Sequence, residues 1–233
     1  MSDPHPMVDT ALRRSALFAR LDDATFERCA ASFRRRQYRR GETIFSQGDP
    51  GDALHVIESG AVKVVIPSDE GGEGAIIATL GPGDCFGELS LLDGGERSAT
   101  AIAQDPTVTS VLRRDAFVSL FEEDPILRRA VLDVLVGQLR RLTLHVGELH
   151  FLNLPGRLAR QLVRLARQSS PGTSEEVRLS WSYSQSELAA MIGGTRQSVN
   201  RLLADFVAEE LIRFERDQLV IPDLGRLERA AER

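Results

Sequence analysis

The sequence predicts an α+β chain with three successive parts: a small antiparallel β-roll, one long helix, and a terminal domain of helices with a strand pair. Two features of the hydrophobic pattern support this prediction. Between about residues 33 and 113, short apolar runs alternate with turn glycines, which is typical of a roll or barrel of short strands. After Pro125 the hydrophobic period becomes helical. We therefore expect domains at residues 1–124, 125–153 and 154–233.

The β-roll is predicted from five apolar runs, which glycines such as Gly48 and Gly60 separate. A segment with helical spacing, from Leu12 to Phe26, precedes these runs. Glycine permits tight turns, so consecutive runs can pair as antiparallel strands. The five runs are Thr43–Phe45, Leu54–Ile57, Val62–Ile66, Ile76–Leu80 and Val108–Leu112.

The long helix carries a continuous apolar stripe. Its members recur at spacings of 3, 4, 3, 4 and 3 and are Leu132, Leu135, Leu139, Leu142, Val146 and Leu149. This period places all of them on one narrow face, as in a two-stranded coiled coil. The stripe predicts a parallel homodimer about a two-fold axis, with packing on the helix's own domain as the alternative. The Pro155-Gly156 pair then breaks the helix.

The terminal domain contains two short helices joined by a tight turn. Ser184 is a favourable N-cap for the first helix, and Thr195 is one for the second. Gly193-Gly194 supplies the turn between them. The flanking elements are predicted at Arg157–Arg167, Val177–Leu179, Ile212–Phe214 and Leu219–Ile221.

The second helix of this pair has the side chains of a DNA reader. Polar residues in its first turn and a half carry donors that can reach base edges in the major groove of double-stranded DNA. Ser184 and Thr195, at the helix N-termini, are expected to take backbone phosphates. The predicted DNA-binding residues are Ser184, Thr195, Arg196, Gln197, Ser198, Asn200 and Arg201.

The charge distribution permits DNA binding at this end of the chain. The net charge is −5, which by itself argues against a nucleic-acid partner. The acidity lies in the first 153 residues, however, and residues 154–233 hold twelve arginines against eleven acidic residues. A local basic face is therefore possible in the terminal domain.

A further segment, Phe86–Ala99, has the chemistry of a nucleotide site. Glu88 offers a carboxylate that can accept from two vicinal hydroxyls, and Gly87 leaves room beside it. Arg97 and Ser98 add a guanidinium and a hydroxyl that suit a phosphate. The segment indicates a site for one small nucleotide, with a Glu88–Arg97 ion pair that braces the roll as the alternative.

Residues 41–103 resemble the cyclic-nucleotide-binding β-roll. The segments Phe86-Gly87-Glu88-Leu89 and Arg97-Ser98-Ala99 are similar in residue type and spacing to its phosphate-binding cassette. The resemblance implies that Gly87 and Glu88 contact ribose, and that Arg97 and Ser98 hold a cyclic phosphate. Leu89 joins the predicted ligand-binding residues.

From about residue 11 to 224, the chain resembles the cyclic-AMP receptor protein and fumarate–nitrate regulator (CRP/FNR) family of bacterial transcription factors. A β-roll, a striped helix, a Pro-Gly hinge and a winged helix-turn-helix follow one another in that order. The resemblance implies a homodimer that binds a palindromic site on double-stranded DNA when its ligand is bound, with RNA polymerase as a further partner.

The chain departs from the cyclic-AMP members of that family at several positions. In those members two adjacent hydroxyl residues of the long helix contact adenine, and the matching positions here are Leu142 and Thr143. Ala78 replaces a serine before the cassette, and Gln197 replaces a glutamate of the recognition helix. Cyclic AMP is the leading effector. Cyclic GMP, a cyclic dinucleotide, and constitutive DNA binding with a vestigial pocket are the alternatives.

Other chemistry has little support in the sequence. The two cysteines, Cys29 and Cys85, are too few for an iron–sulfur cluster, and the four scattered histidines suggest no metal site. The sequence contains no catalytic triad or nucleotide-hydrolysing loop, so we expect no enzyme. No apolar run approaches the roughly 18 residues of a membrane span. We expect a soluble, cytoplasmic protein without a membrane partner.

Overall fold

The computed structural model describes residues 11–68, 74–169 and 176–232. The chain divides into two compact units, residues 1–140 and 141–233, and the division falls inside the long helix. The domain limits predicted from the sequence, 1–124, 125–153 and 154–233, stay predictions.

The first unit opens with helical turns from residue 11 and with helix α1 (Asp23–Ser32). Asp22 caps this helix, since its carboxylate accepts from the Thr25 amide at 2.9 Å. The same hydrogen bond lowers the pKa of Asp22. The cap fixes the residue at which α1 begins.

Short antiparallel strands form the roll in two four-stranded sheets. They are β1 (Arg34–Tyr38), β2 (Thr43–Phe45), β3 (Ala53–Ser59), β4 (Val62–Ile66), β5 (Ala75–Leu80), β6 (Cys85–Phe86), β7 (Thr100–Ala103) and β8 (Thr107–Arg113). The sheet orders are β1-β8-β3-β6 and β2-β7-β4-β5. Every predicted apolar run lies in one of these strands, whereas β1, β6 and β7 were not predicted.

Two apolar clusters stabilise the first unit. The smaller one lies in the roll and includes Ile57 and Phe86. The larger one packs the roll against its helices and includes Phe26, Leu54 and Leu127, which are almost fully buried. Burial of apolar surface at about 25 cal/mol per Å² makes these clusters the main stabilising contribution.

Helix α2 (Glu88–Asp93) lies within the cassette segment, and helices α3 (Arg114–Glu123) and α4 (Pro125–Phe151) follow the roll. Helix α4 is the long helix that the sequence predicted. Asp124 fixes its start, because its carboxylate accepts from the Ile126 and Leu127 amides at 2.7 and 3.0 Å. Within the described ranges, no helix combines the length and apolarity that a bilayer crossing requires.

The second unit contains a winged helix-turn-helix, as predicted. After the end of α4 its elements are α5 (Leu154–Ser169), β9 (Val177–Ser180), α6 (Gln185–Ile192), α7 (Arg196–Ala208), β10 (Arg213–Glu215), β11 (Gln218–Ile221) and α8 (Leu224–Ala230). The three strands form an antiparallel sheet of order β10-β11-β9. Strands β10 and β11 are the wing.

The start of α5 corrects one expectation from the sequence. The helix begins at Leu154, ahead of the predicted Arg157, and Pro155 lies in its first turn. A proline is compatible with a first turn, because its missing N–H has no intrahelical partner there. The Asn153 side chain caps the helix by accepting from the Gly156 amide at 2.9 Å. The proline therefore opens α5 as well as separating it from α4.

Candidate functional site

The predicted nucleotide cassette folds as a turn into a short helix. Strand β6 ends at Phe86, Gly87 adopts a φ of 82°, and α2 begins at Glu88. A positive φ favours glycine, and a Cβ at Gly87 would lie 2.5 Å from Arg97 Nη1. The positive φ favours glycine here, and its lack of a side chain lets the backbone lie close to Arg97.

Arg97 lies inside the roll with 4% of its surface exposed. Its Nη1 donates to the Gly87 carbonyl at 2.8 Å, and its Nη2 donates to the Ala53 carbonyl at 2.7 Å. The guanidinium also lies over the Phe45 ring, 4.2 Å from the centroid. Burial lowers the pKa of Arg97, and the Asp52 carboxylate at 3.8 Å opposes that effect. The buried Nε has no hydrogen-bond partner among the described residues, so the guanidinium keeps an unsatisfied donor.

Glu88 is also buried, with 5% exposure, and its partner is on the long helix. Its carboxylate accepts from Gln138 Nε2 at 2.9 Å. Within the described ranges Glu88 forms no ion pair with Arg97, so the brace that the sequence left open is not the arrangement found. The cassette is connected to α4 through Gln138, which the sequence did not single out.

A buried histidine lies beside Arg97. His55 stacks on Phe86 with ring centroids 4.9 Å apart, and its Nδ1 is 3.3 Å from Thr109 Oγ1. Burial, with smaller contributions from the positive charges of Arg97 and Arg36, lowers the pKa of His55 to about 3. The imidazole is therefore neutral at neutral pH and adds no charge next to the guanidinium.

The remaining predicted ligand residues are more exposed. Leu89 and Ser98 lie at the surface, next in sequence to the two buried charged residues. Leu142 and Thr143 lie on α4, about one turn beyond Gln138. The contribution of these residues to ligand binding stays a prediction.

The second candidate site is built by α6 and α7. The Ser184 hydroxyl accepts from the Glu187 amide at 3.1 Å, and the Glu187 carboxylate accepts from the Ser184 amide at 3.0 Å. Gly193 ends α6 with a φ of 64°. Thr195 caps α7 by accepting from the Ser198 amide at 3.1 Å. Both N-caps that the sequence predicted are confirmed.

Helix α7 has the buried and exposed faces that the sequence predicted. The exposed polar residues of its first turn and a half are Arg196, Gln197, Asn200 and Arg201, and Asp205 is exposed further along the helix. Within the part of the chain that the structure describes, neither Arg196 nor Arg201 has an ion-pair partner, so both guanidiniums are available for bases or phosphates. Ser198 is half-buried, and its hydroxyl is 2.9 Å from Thr195 Oγ1.

Two residues near this surface were missed from the sequence. Gln185, in the first turn of α6, donates from Nε2 to Asn200 Oδ1 at 2.9 Å. Arg216 lies at the exposed tip of the wing with a φ of 52°. The short gap between the two predicted wing strands was a signal for a tight turn at Arg216. The Gln185–Asn200 contact had no such local signal, because it depends on how the two helices pack.

Other arginines of the wing sheet are paired within the protein. Arg178 and Arg213 each bind both Glu176 and Glu215, at 2.6 to 2.8 Å. These hydrogen bonds lower the pKa of both glutamates and raise the pKa of both arginines. Arg178 and Arg213 are therefore less available to DNA than the arginines of α7.

Together the two sites define a class of protein, in which a cyclic-nucleotide-binding fold precedes a DNA-binding winged helix-turn-helix. Residues 35–124 match the family model of the cyclic nucleotide-binding domain. Residues 156–230 match that of the Crp-like helix-turn-helix domain.

Comparison with individual proteins identifies the family. The chain is 33% identical over 224 residues to the CRP-like cAMP-activated global transcriptional regulator of Mycobacterium tuberculosis, which covers 96% of this chain and 100% of the relative. It is 34% identical over 220 residues to the cyclic AMP receptor protein of Thermus thermophilus, covering 94% and 98%. The c-di-GMP-responsive regulator CLP of Xanthomonas campestris shares the fold with a TM-score of 0.74 at 23% identity, covering 86% of this chain and 99% of that one. The chain belongs to the CRP/FNR family of transcription regulators.

Proposed function

We propose that this protein is a homodimeric regulator whose affinity for a palindromic DNA site is set by a cyclic nucleotide in the β-roll. Cyclic AMP is the favoured effector, and RNA polymerase in the cytoplasm is the expected further partner. The proposed ligand contacts are Gly87, Glu88, Leu89, Arg97, Ser98, Leu142 and Thr143. The proposed DNA contacts are Ser184, Thr195, Arg196, Gln197, Ser198, Asn200 and Arg201.

The observation that carries this proposal is a pair of buried, opposite charges, Arg97 and Glu88, that form no direct ion pair with each other within the described residues. Arg97 keeps an unsatisfied Nε, and Glu88 accepts only a neutral amide among the contacts found. Arg97 has the exposed Asp52 carboxylate at 3.8 Å as its charged partner. Buried charges that are incompletely paired are unfavourable, so both groups favour a ligand that supplies a phosphate and hydroxyls. A cyclic nucleotide offers a phosphate to Arg97 and ribose hydroxyls to Glu88.

The exposed stripe on α4 supports the homodimer. Leu139 is 65% exposed and Val146 is 57% exposed. Large apolar side chains at this level of exposure along one helix face are typical of a protein–protein interface. The spacing of the stripe fits a second copy of the same helix.

The relatives support cyclic AMP, and two features keep other effectors in the proposal. The Mycobacterium tuberculosis and Thermus thermophilus relatives are named for cyclic AMP, whereas the Xanthomonas campestris neighbour is named for c-di-GMP. Leu142 has no hydroxyl to bind an adenine amine, which leaves cyclic GMP or a cyclic dinucleotide as alternative ligands of the same pocket.

A second candidate function is constitutive DNA binding with a vestigial pocket. The hydrogen bonds around the cassette favour it, because Arg97 already donates to two carbonyls and Glu88 already accepts from Gln138. A pocket whose polar groups are largely satisfied from within gains less from a ligand.

Calorimetric titration of the full chain tests the pocket. We expect cyclic AMP to bind more tightly than linear AMP, with cyclic GMP and cyclic di-GMP as the competing ligands. Arg97→Ala removes a charge-assisted contact and should weaken binding by about 1.5–3 kcal/mol, or roughly 10- to 150-fold. Glu88→Ala should also weaken nucleotide binding, because it removes the proposed contact with the ribose hydroxyls.

Arg97→Lys is the matched control, since it keeps the charge and is expected to retain part of the affinity. Circular dichroism establishes that the variants fold, which matters because Arg97 also binds two backbone carbonyls. Unchanged nucleotide affinity in folded Arg97→Ala would contradict the proposed site. Failure of every nucleotide to bind the wild type would favour constitutive binding.

A further inference from the structure

An ion pair attaches the end of α4 to the helices of the second unit. Both carboxylate oxygens of Glu148, whose side chain is 13% exposed, accept from Arg164 Nη1 of α5, at 3.0 and 3.2 Å. Arg164 Nη2 also donates to Gln161 Oε1 at 2.7 Å, and Gln161 Nε2 is 3.3 Å from Met191 Sδ of α6. All four residues belong to the second unit. A continuous series of side-chain contacts therefore connects α4 to α6 through α5.

A second set of contacts joins the end of α4 to the turn that precedes α7. Arg157 of α5 donates from Nη1 to the Ile192 carbonyl, the last residue of α6, at 2.7 Å. A Cβ at Gly193 would lie 3.5 Å from Leu149 Cδ2, so this leucine of the apolar stripe packs beside the turn. Thr195 caps α7 two residues later. The start of α7 is therefore held close to the end of α4.

The junction between α4 and α5 is packed. The Arg157 amide donates to the Asn153 carbonyl at 3.0 Å. Gly156 is buried, and a Cβ there would lie 3.4 Å from the Ala231 carbonyl at the end of α8. These contacts favour a packed corner at Pro155-Gly156 over the hinge that the sequence indicated. Glycine at this position permits close packing.

The ion pair lies next to the proposed dimer seam. Val146 and Leu149 of the apolar stripe are in the same turns of α4 as Glu148. In the proposed homodimer these stripe residues lie near the two-fold axis. The pair therefore joins a segment at the axis to the unit that carries α7.

We infer that Glu148 and Arg164 are positioning residues that set the distance between the two α7 helices of the dimer, and with it the half-site spacing that the dimer accepts. In a dimeric helix-turn-helix protein, this distance determines the spacing of the half-sites on DNA. The inference rests on the proposed homodimer and its binding of DNA. Neither residue needs a contact with a base.

Duplexes that differ only in the number of base pairs between two selected half-sites test the inference. One added base pair moves a half-site by about 3.4 Å and rotates it by about 34° around the DNA axis. With cyclic AMP present, the full chain should prefer one spacing over its neighbours by about tenfold or more, as for one mismatched base pair. Arg164→Leu should reduce this preference by at least about threefold, because α4 no longer fixes the position of α5.

Arg167→Leu is the matched control. Arg167 lies one turn further along α5, and its ion-pair partner is Glu228 of α8. This variant removes the same kind of contact without touching α4, so it should keep the wild-type spacing preference. The double variant Glu148→Arg with Arg164→Glu restores the ion pair in reverse and should regain the preference that each single reversal loses.

Hydrogen exchange of the full chain without DNA tests the attachment of α4 by itself. Peptides that cover residues 145–151 should exchange about three- to tenfold faster in Arg164→Leu than in the wild type, the factor for one partly exposed, charge-assisted hydrogen bond. Arg167→Leu should leave the exchange of these peptides unchanged.

Two results would overturn the inference while leaving DNA binding intact. One is an unchanged spacing preference in an Arg164→Leu variant whose α4 peptides exchange faster. The other is an unchanged exchange rate in that variant, because the ion pair then does not hold the end of α4. If the wild type binds no DNA, or binds it as a monomer, the proposed function fails, and this inference fails with it.

Discussion

Arg97 determines the electrostatics of the roll interior. Its guanidinium is held by the Gly87 and Ala53 carbonyls, so its charge is fixed in position, and the Asp52 carboxylate lies 3.8 Å away. That charge adds to the burial of His55 and keeps the imidazole neutral. An anion that binds here would therefore contact one positively charged group, Arg97, whose position is fixed. The uncharged rings of Phe45 and His55 lie beside it.

The buried histidine predicts how stability depends on pH. His55 takes a proton near its ordinary pKa of 6.5 when the chain is unfolded, but only at about 3 when the chain is folded. Between these values the unfolded state binds more protons, so the free energy of unfolding falls as the pH is lowered, by at most about 1.4 kcal/mol per pH unit from this residue. His55→Gln cannot take that proton and should show a shallower slope in urea denaturation between about pH 6.5 and pH 4.

Thr109→Val is the control for the His55 experiment. It removes the hydroxyl that lies 3.3 Å from His55 Nδ1 but keeps the buried imidazole, so it should retain the steep dependence while lowering overall stability. Equal slopes in the wild type and His55→Gln would contradict the buried, neutral histidine.

At the residue scale, local contacts were predictable and contacts between elements were not. The Ser184 and Thr195 caps follow from side chains that bond their own helix a few residues on. Glu88, in contrast, finds its partner in Gln138, fifty residues further along the chain. Such a pairing depends on how the helix packs against the roll, which no pattern within either segment specifies.

At the scale of elements, α4 combines a buried beginning with an exposed continuation. Leu127 and Val131 belong to the core of the first unit, whereas the stripe from Leu139 onwards faces solvent. The heptad spacing predicted this stripe because the face on which these residues lie depends only on the period of one helix. The oligomeric state that buries it stays a prediction.

Two glutamates on the stripe should dissociate the proposed dimer. Leu139→Glu with Val146→Glu removes two apolar contacts worth about 1.5–3 kcal/mol each and places charges in the seam. We expect monomers in sedimentation velocity and loss of DNA binding.

The long helix also offers a matched control for that variant. Leu144 and Phe151 have the same spacing of seven residues, are 68% and 86% exposed, and lie on the opposite face. Leu144→Glu with Phe151→Glu should therefore keep the oligomeric state of the wild type. A stripe variant that still dimerises through α4 would overturn the assignment of the interface.

Arg216, in the turn of the wing, leads to a separate prediction about backbone strain and DNA binding. Arg216 has a φ of 52° in the turn between β10 and β11, where glycine is less strained. Arg216→Gly should raise the free energy of unfolding by up to about 1 kcal/mol. If the arginine contacts a phosphate, the same change should lower DNA affinity evenly across sequences and reduce the salt slope by about 1.

Titration of one duplex at several salt concentrations measures the effect of the Arg216 substitution. Arg216→Lys keeps the charge and should keep the wild-type slope. An unchanged slope in Arg216→Gly would show that the wing tip makes no phosphate contact.

At the scale of the whole molecule, the sequence predicted the order of the helices and strands more accurately than their number and boundaries. Apolar runs such as Val62–Ile66 were recognisable as strands because they are short, apolar and separated by turn glycines. Strand β1, with the sequence RRRQY, has four exposed residues and is defined by its pairing with β8, so no hydrophobic pattern indicated it. Pairing between distant strands is a property of the complete sheet.

The last prediction concerns coupling between the two sites, which belong to different units of the chain. The Glu88–Gln138 bond connects the cassette to α4, and ribose hydroxyls that bind Glu88 must compete with the Gln138 amide or share the carboxylate with it. A nucleotide can then change the environment of α4, but it can shift the chain towards DNA binding only by its difference in affinity for the two states. Thermodynamic linkage requires that operator DNA tighten nucleotide binding by the same factor by which nucleotide tightens DNA binding.

Fluorescence anisotropy with labelled duplex measures the factor by which cyclic AMP tightens DNA binding, and calorimetry with cyclic AMP measures the factor by which DNA tightens nucleotide binding. Both are measured at one fixed salt concentration, because salt alone changes DNA affinity by orders of magnitude. We expect equal factors of about tenfold or more in the wild type. Gln138→Leu should still bind both ligands, since it leaves Arg97 and α7 intact, but its coupling factor should fall towards one in both directions. If nucleotide tightens DNA binding in Gln138→Leu as strongly as in the wild type, the cassette signals by another route. If neither ligand affects the other in the wild type, the pocket does not gate DNA binding, and constitutive binding is the better description of this protein.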